Sequence, residues 1–189
     1  ITPLVLSQLS QVFNRERNPL QSTEFAFTRF LTPYLCNYKG WAIFMDCDML
    51  VLSDIAKLWQ LRDDRYAVMV AKHDYTPKTQ AKFLGQTQTK YEKKNWSSVM
   101  LMNCTKCKTL TPEYVNRANG LELHRFQWLE NESLIGEIPK SWNFLVEEYD
   151  AEPIQKIDNL HYTLGGPYFK GYEDCDYSDK WFREYYAMI

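Results

Sequence analysis

Glycine is scarce in this chain, 7 of 189 residues. That is about half the usual share of ~7%, and it leaves few places for a glycine-rich phosphate loop. Long apolar runs are missing too. Trp41–Met45 and Ala67–Ala71 fall far short of the ~20 residues a membrane-spanning helix needs, so no transmembrane segment is expected. No basic stretch leads into an apolar one near the start, and no signal peptide is visible. Neither sign of charge dominates: 22 Lys and Arg against 24 Asp and Glu leave a net charge of −2. This excludes a nucleic-acid binder that works by whole-surface charge. The five cysteines, Cys36, Cys47, Cys104, Cys107 and Cys175, are an odd number in a chain too long to depend on disulfides. They point to a reducing compartment, the cytoplasm. There is no initiating Met; Ile1 opens an apolar segment, and a fragment or a processed product is expected.

What is present is globular. Hydrophobic residues make up 45% and aromatics 15%, enough for a sizeable core in one domain over residues 1–189. Thr2–Leu6 reads as a strand, held to an edge or a strand start by Pro3. Ser22 offers an N-cap with Glu24 behind it. Phe27, Phe30, Leu31, Tyr34, Leu35 and Tyr38 then recur at helical spacing, with Pro33 predicting a kink or two shorter helices. Trp41–Met45 is a continuous apolar run, the pattern of a fully buried strand. Met49–Leu52, Tyr66–Ala71, Val99–Met102, Ile135–Ile138 and Ile157–Tyr162 are further strands. Ser53-Asp54 caps a short helix ending near Trp59, and Thr111 caps one that Gly120 terminates. Leu121–Leu129 and Ser178–Met188 complete the helices, and Thr76–Asn95 is a long polar loop. Strands and helices that alternate in this way imply an α/β sheet flanked by helices, with ligands at the carboxyl ends of the strands.

Asp46 and Asp48 stand at that end of the Trp41–Met45 strand. Two carboxylates so close repel unless one is protonated or a cation lies between them. A hard divalent ion resolves the conflict and can hold a diphosphate as well; a solvated turn with Asp caps is the plain alternative. Two enzyme classes place an acidic pair after a strand. Haloacid dehalogenase-like phosphatases use the first Asp as nucleophile, and FMDCDML matches in part. Leu50 stands where they carry Thr or Val, however, and Asp174 and Asp176 lack the glycine of their downstream motif. The other class is the metal-dependent sugar-nucleotide transferases.

Five blocks in order decide between them: STEFAFTRFLTPYL, WAIFMDCDMLVLSDIAKLW, NWSSVMLMN, IPKSWN and LHYTLGGPYF. Together they resemble a bacterial branch of the glycosyltransferase family 8-like proteins, relatives of glycogenin with the GT-A fold. The resemblance implies a partial GT-A domain that lacks the opening nucleobase-binding unit. It implies metal ligation by Asp46, Asp48 and His161, with Mn²⁺ suited by the imidazole and Mg²⁺ as the alternative. Arg29 matches the arginine that reaches the donor phosphates. The implied reaction is transfer of a sugar, with retention, from a nucleoside diphosphate sugar such as a UDP-sugar to a glycan, lipid or protein acceptor.

The chain departs from the family pattern at several points. HYTLGGPYF has no lysine for the diphosphate; the amides of Gly165 and Gly166 either form a phosphate nest or simply a turn. Trp96-Ser97-Ser98 replaces Asn-Ala-Gly, making Ser97 and Ser98 candidates for the sugar hydroxyls. Of the family's D-Q-D only Gln127 survives, as the candidate catalytic residue. The single C-x-x-C of Cys104 and Cys107 reads as buried thiols, and Lys90, Lys93 and Lys94 as a solvated loop face. A phosphatase using Asp46, or a non-catalytic sugar- or nucleotide-binding remnant, are the competing functions.

Overall fold

The computed structural model describes residues 1–16, 26–74 and 92–189. The Ser22 cap, Glu24, Lys90 and most of the Thr76–Asn95 loop lie outside the described residues.

Four strands form the first sheet: β1 (Trp41–Met45), β3 (Val68–Val70), β4 (Val99–Asn103) and β5 (Ile135–Glu137), in the order β1-β4-β3-β5. β4 pairs antiparallel with both β1 and β3, and β3 pairs parallel with β5. Alternating side chains divide between two apolar layers, as a strand's period of two requires. Met100 and Met102 of β4 and Val68 and Val70 of β3 face a layer built on Phe30, Leu31, Leu123 and Phe126. Val99, Leu101 and Met69 face the other, with Leu58, Ile138 and Trp142. A sheet covered on both faces has no polar side, and this is why these strands read as continuous apolar runs.

β1 corrects the expectation of full burial, since all five of its residues are only half-buried. Ala42 and Phe44 pack on one layer and Trp41, Ile43 and Met45 on the other, but the strand lies at the sheet edge with one partner. Its apolar run reports two covered faces and says nothing about the open side.

The second sheet joins β2 (Met49–Val51), β6 (Phe144–Leu145) and β7 (Asn159–His161) in the order β2-β7-β6. It packs on a separate cluster of Phe144, Val146, Ile157, Leu160 and Tyr162. β6 has two residues and no run to announce it.

The helices follow their caps. A 3₁₀ turn over Thr28–Leu31 passes into α1 (Thr32–Leu35), the two short pieces that Pro33 predicts. Asp54 caps α2 (Ile55–Gln60), and Thr111 caps α3 (Pro112–Arg117) through the amide of Tyr114. Gly120 does not terminate α3. It opens α4 (Gly120–His124), which Asn119 caps by accepting from Glu122 N at 2.8 Å. The helix read over Leu121–Leu129 stops at His124, and Phe126 follows with φ +60°. α5 spans Ser178–Met188, as expected. At the other end Thr2–Leu6 forms no strand; residues 1–5 are irregular and Leu6–Gln8 is a 3₁₀ turn. Leu4, Leu6 and Leu9 pack directly on the first apolar layer instead.

Leu101 is fully buried at the centre of β4. Leu101→Ala is expected to cost about 2–5 kcal/mol of unfolding free energy. Leu121→Ala, on the exposed face of α4, should stay within about 0.5 kcal/mol. Urea titration of both variants checks the contrast.

Candidate functional site

The chain leaves the first sheet at Met45 and enters the second at Met49, so Asp46-Cys47-Asp48 is the crossing between them. The Asp46 amide donates to Ser98 O at 3.0 Å, extending the β1–β4 ladder by one step. Beyond the crossing, β2 pairs antiparallel with β7, and the register sets Met49 opposite His161. Tyr162 N donates to Asp48 O at 2.9 Å and closes that end of the ladder. Sheet register thus carries His161 across a long sequence separation to the acidic pair. His161 Nε2 lies 3.4 Å from Asp48 Oδ1. One ligand atom from each of Asp46, Asp48 and His161 lies within 4.8 Å of the others.

Each member has its own support. Asp46 is gripped by Arg29: Nη2 lies 2.8 Å from Oδ1, and Nη1 donates to Oδ2 at 3.1 Å. The same guanidinium donates to Ala26 O through Nε (2.8 Å) and to Ser97 O through Nη1 (2.9 Å). His161 is buried, and its Nδ1 lies 2.8 Å from Asn143 Oδ1. Asp48 is the open member, with its side chain 34% exposed against 3% for His161.

The electrostatics are opposed across one residue. Burial raises the Asp46 pKa, against the lowering charge of Arg29 and with the raising charge of Asp48. Burial also pushes Asp48 upward, but the charge and contact of His161 in its protonated form outweigh this and bring Asp48 to about 2. The inward oxygen of Asp48, Oδ1, is buried and has no hydrogen-bond partner among the described residues, although such atoms are normally satisfied. Two carboxylates and an imidazole form a donor set for a borderline or hard divalent ion. Neighbouring ligands of an ion with bonds of about 2.0–2.6 Å stand about 3–4 Å apart, a range that holds the 3.4 Å between His161 Nε2 and Asp48 Oδ1. The residues fit a cation.

Of the other candidates, Ser97 and Ser98 adjoin the trio through their carbonyls. Ser97 and Ser98 are buried beside Asp46, and Ser97 Oγ lies 2.8 Å from His124 Nδ1. Gly165 has φ +126° and its amide donates to Tyr162 O at 3.0 Å. A Cβ at Gly166 would lie 2.4 Å from the Tyr168 ring. The missing side chain lets that ring fold down where burial, then Asp48 and Cys47, push its phenol pKa up. Gln127 is exposed, between the buried Phe126 and Trp128. Its side chain forms no hydrogen bond to a described residue, and its catalytic assignment rests on motif order. Sequence reasoning passes over Asn143 and Tyr168, both inside recognised blocks. An asparagine buried against a histidine leaves no mark in periodicity or spacing.

Comparison with known proteins gives the family and the fold. Residues 4–122 match the model of Glycosyl transferase family 8. The chain belongs to glycosyl transferase family 8. It is 51% identical over 191 residues to Protein CDI of Arabidopsis thaliana, covering 97% of this chain and 73% of that protein. The family likeness therefore reaches a plant protein and is not confined to the bacterial branch that motif order suggests. Among solved structures, the glycosyltransferase GlyE of Streptococcus pneumoniae TIGR4 superposes with a TM-score of 0.55 at 13% identity. That match covers 86% of this chain and 43% of GlyE. The apo form of GlyE gives 0.56 at 15% identity, over 89% of this chain and 44% of GlyE. This family 8 chain thus shares a glycosyltransferase fold while spanning less than half the length of those structures. No helix among the described residues is long and apolar enough to cross a membrane.

All five cysteines are free. Burial pushes the Cys104 and Cys107 thiols up to about 12, and Cys107 Sγ donates to Asn103 O at 3.2 Å. They behave as protonated packing groups, as the sequence suggests.

Arg29→Met removes the counter-charge of a buried carboxylate and should cost about 3–5 kcal/mol at pH 7. Asp46 would then titrate well above its unfolded value of ~3.9. An acid whose pKa is raised by folding destabilises the native state above that pKa. Lowering the pH through it therefore restores part of the loss. Urea titrations at pH 7 and pH 5 check this; equal losses at both would remove the ion pair as the cause.

Proposed function

We propose that this chain transfers a sugar from a nucleoside diphosphate sugar, with UDP-sugar as the donor class, to a glycan, lipid or protein acceptor with retention of configuration. The observation that carries the reading is the meeting of Asp46, Asp48 and His161 at the crossing between the sheets of a family 8 chain. When bound there, a divalent cation supplies positive charge to the diphosphate and to the leaving group. Mn²⁺ is the proposed ion, because an imidazole nitrogen beside two carboxylates suits it better than Mg²⁺.

The protein's own part is preorganisation. Arg29 holds Asp46 by both oxygens, so that carboxylate keeps its place without reorganising. Asp48 faces the opening and is the natural side for donor entry. Arg29, Ser97 and Ser98 are proposed donor contacts on the Asp46 side, Gly165 and Gly166 on the Asp48 side. Gln127 is proposed at the reacting face on motif position alone. Tyr168, folded against Gly166, offers an aromatic ring of the kind that stacks on sugars.

The phosphatase reading asks Asp46 to attack phosphorus with a free carboxylate oxygen. The match of residues 4–122 to Glycosyl transferase family 8 favours sugar transfer over that role.

Thermal denaturation tests the reading. UDP with Mn²⁺ should raise Tm by more than the sum of the two alone, and EDTA should erase the gain. In Asp48→Asn the synergy should vanish while Tm without ligands stays within a few degrees. Equal shifts by phosphate esters without a nucleotide would turn the assignment toward hydrolysis. With donor present, Mn²⁺-dependent release of UDP separates an enzyme from a binding remnant.

A further inference from the structure

His161 meets the aspartates through Nε2; its other nitrogen meets Asn143. Asn143 is fully buried, immediately before β6. Its Nδ2 donates to the backbone carbonyl of Asn95 at 3.0 Å. A carbonyl oxygen only accepts, so this contact determines which end of the amide carries the nitrogen. The oxygen end then faces His161 Nδ1 at 2.8 Å, and an amide oxygen also only accepts. Nδ1 must therefore hold the proton. In the neutral ring, the form that can ligate a metal, that is the one N–H, which leaves the Nε2 lone pair directed at Asp48 Oδ1, 3.4 Å away.

That last contact supplies the second observation. A lone pair facing a carboxylate oxygen is unfavourable alone and favourable with a cation between them. Asp48 Oδ1 correspondingly receives no hydrogen bond although it is buried. The segment bearing Asn143 is itself held: Asn159 Nδ2 donates to Trp142 O at 3.0 Å, and Asn159 belongs to β7 with His161. One strand thus carries the ring and also fixes the backbone that orients it.

We propose that Asn143 is the positioning residue of the site, locking His161 as the Nδ1–H tautomer and presenting Nε2 to a divalent cation. Partners on the far nitrogen of a metal-binding histidine set its tautomer and raise its basicity. The ligand part of this inference rests on the cation reading given above; the tautomer does not.

The 189-residue chain, labelled with ¹⁵N at its three histidines and freed of metal, gives the tautomer directly from long-range ¹H–¹⁵N correlations at mildly alkaline pH. Loss of one set of signals in His161→Gln assigns the ring. A protonated Nδ1 with an unprotonated Nε2 is expected; an Nε2–H ring or a rapid mixture of tautomers overturns the inference. Mn²⁺ affinity, read from the signal of the free ion in electron paramagnetic resonance, should fall about 10–100-fold in Asn143→Leu. Asn143→Asp keeps the accepting oxygen and should retain most of the affinity. Unchanged affinity in a folded Asn143→Leu variant overturns the positioning role; if that variant does not fold, the tautomer of the native chain decides. The expected tautomer in a native chain that takes up no Mn²⁺ supports the hold of Asn143 on the ring and sinks the cation reading.

Discussion

Repulsion between Asp46 and Asp48 is the constraint around which the rest is arranged. Two carboxylates one residue apart, partly shielded from water, do not coexist without compensation. Arg29 supplies it for Asp46 with a planar fork matched to both oxygens,. His161 supplies it for Asp48 only when its ring is protonated; the neutral ring turns a lone pair toward Asp48 Oδ1, 3.4 Å away. Hydrogen bonding is therefore complete at Asp46 and incomplete at Asp48, whose Oδ1 receives none from a described residue. The incomplete side is the one that opens to solvent.

The fold produces this by making the acidic pair a junction. β1 ends one sheet and β2 begins another, with Cys47 alone between the two carboxylates. Asp46 thus takes its surroundings from the first sheet: the Ser98 carbonyl, Arg29 and Phe44, over which the guanidinium lies at 5.1 Å. Asp48 takes its own from the second, where β7 delivers His161 and the Tyr162 amide. Two adjacent and chemically identical side chains acquire opposite pKa shifts for that reason. Environment, and not residue type, divides their roles, as it does for other paired carboxylates.

How much of this was legible in the sequence depends on the range of the interaction. Asp46 and Asp48 were legible because an apolar run leading into two acids is a local pattern. The caps of α2 and α3 were legible for the same reason, each being a contact over two or three residues. His161 was reachable through the order of motifs and through nothing in its own neighbourhood. Asn143 was not reachable, since its meaning lies in two hydrogen bonds to residues 18 and 48 positions away. Thr2–Leu6 shows the opposite error: strand propensity was present, but those side chains found a packed layer and the segment formed no strand. Propensity is a statement about a segment, and a strand requires a partner. The edge position of β1 was hidden likewise, because strand order leaves no trace in composition.

The junction has a mechanical consequence. Any ligand bound jointly by Asp46 and His161 ties together the ends of two sheets. It would act as a removable rivet between halves of the molecule. Tightening it favours the joined arrangement by RT ln(1 + [L]/Kd), about 2.7 kcal/mol at a hundredfold excess over Kd. Resistance of the two sheets to parting would then follow the supply of a small ion in the surrounding solution, without a change in any side chain.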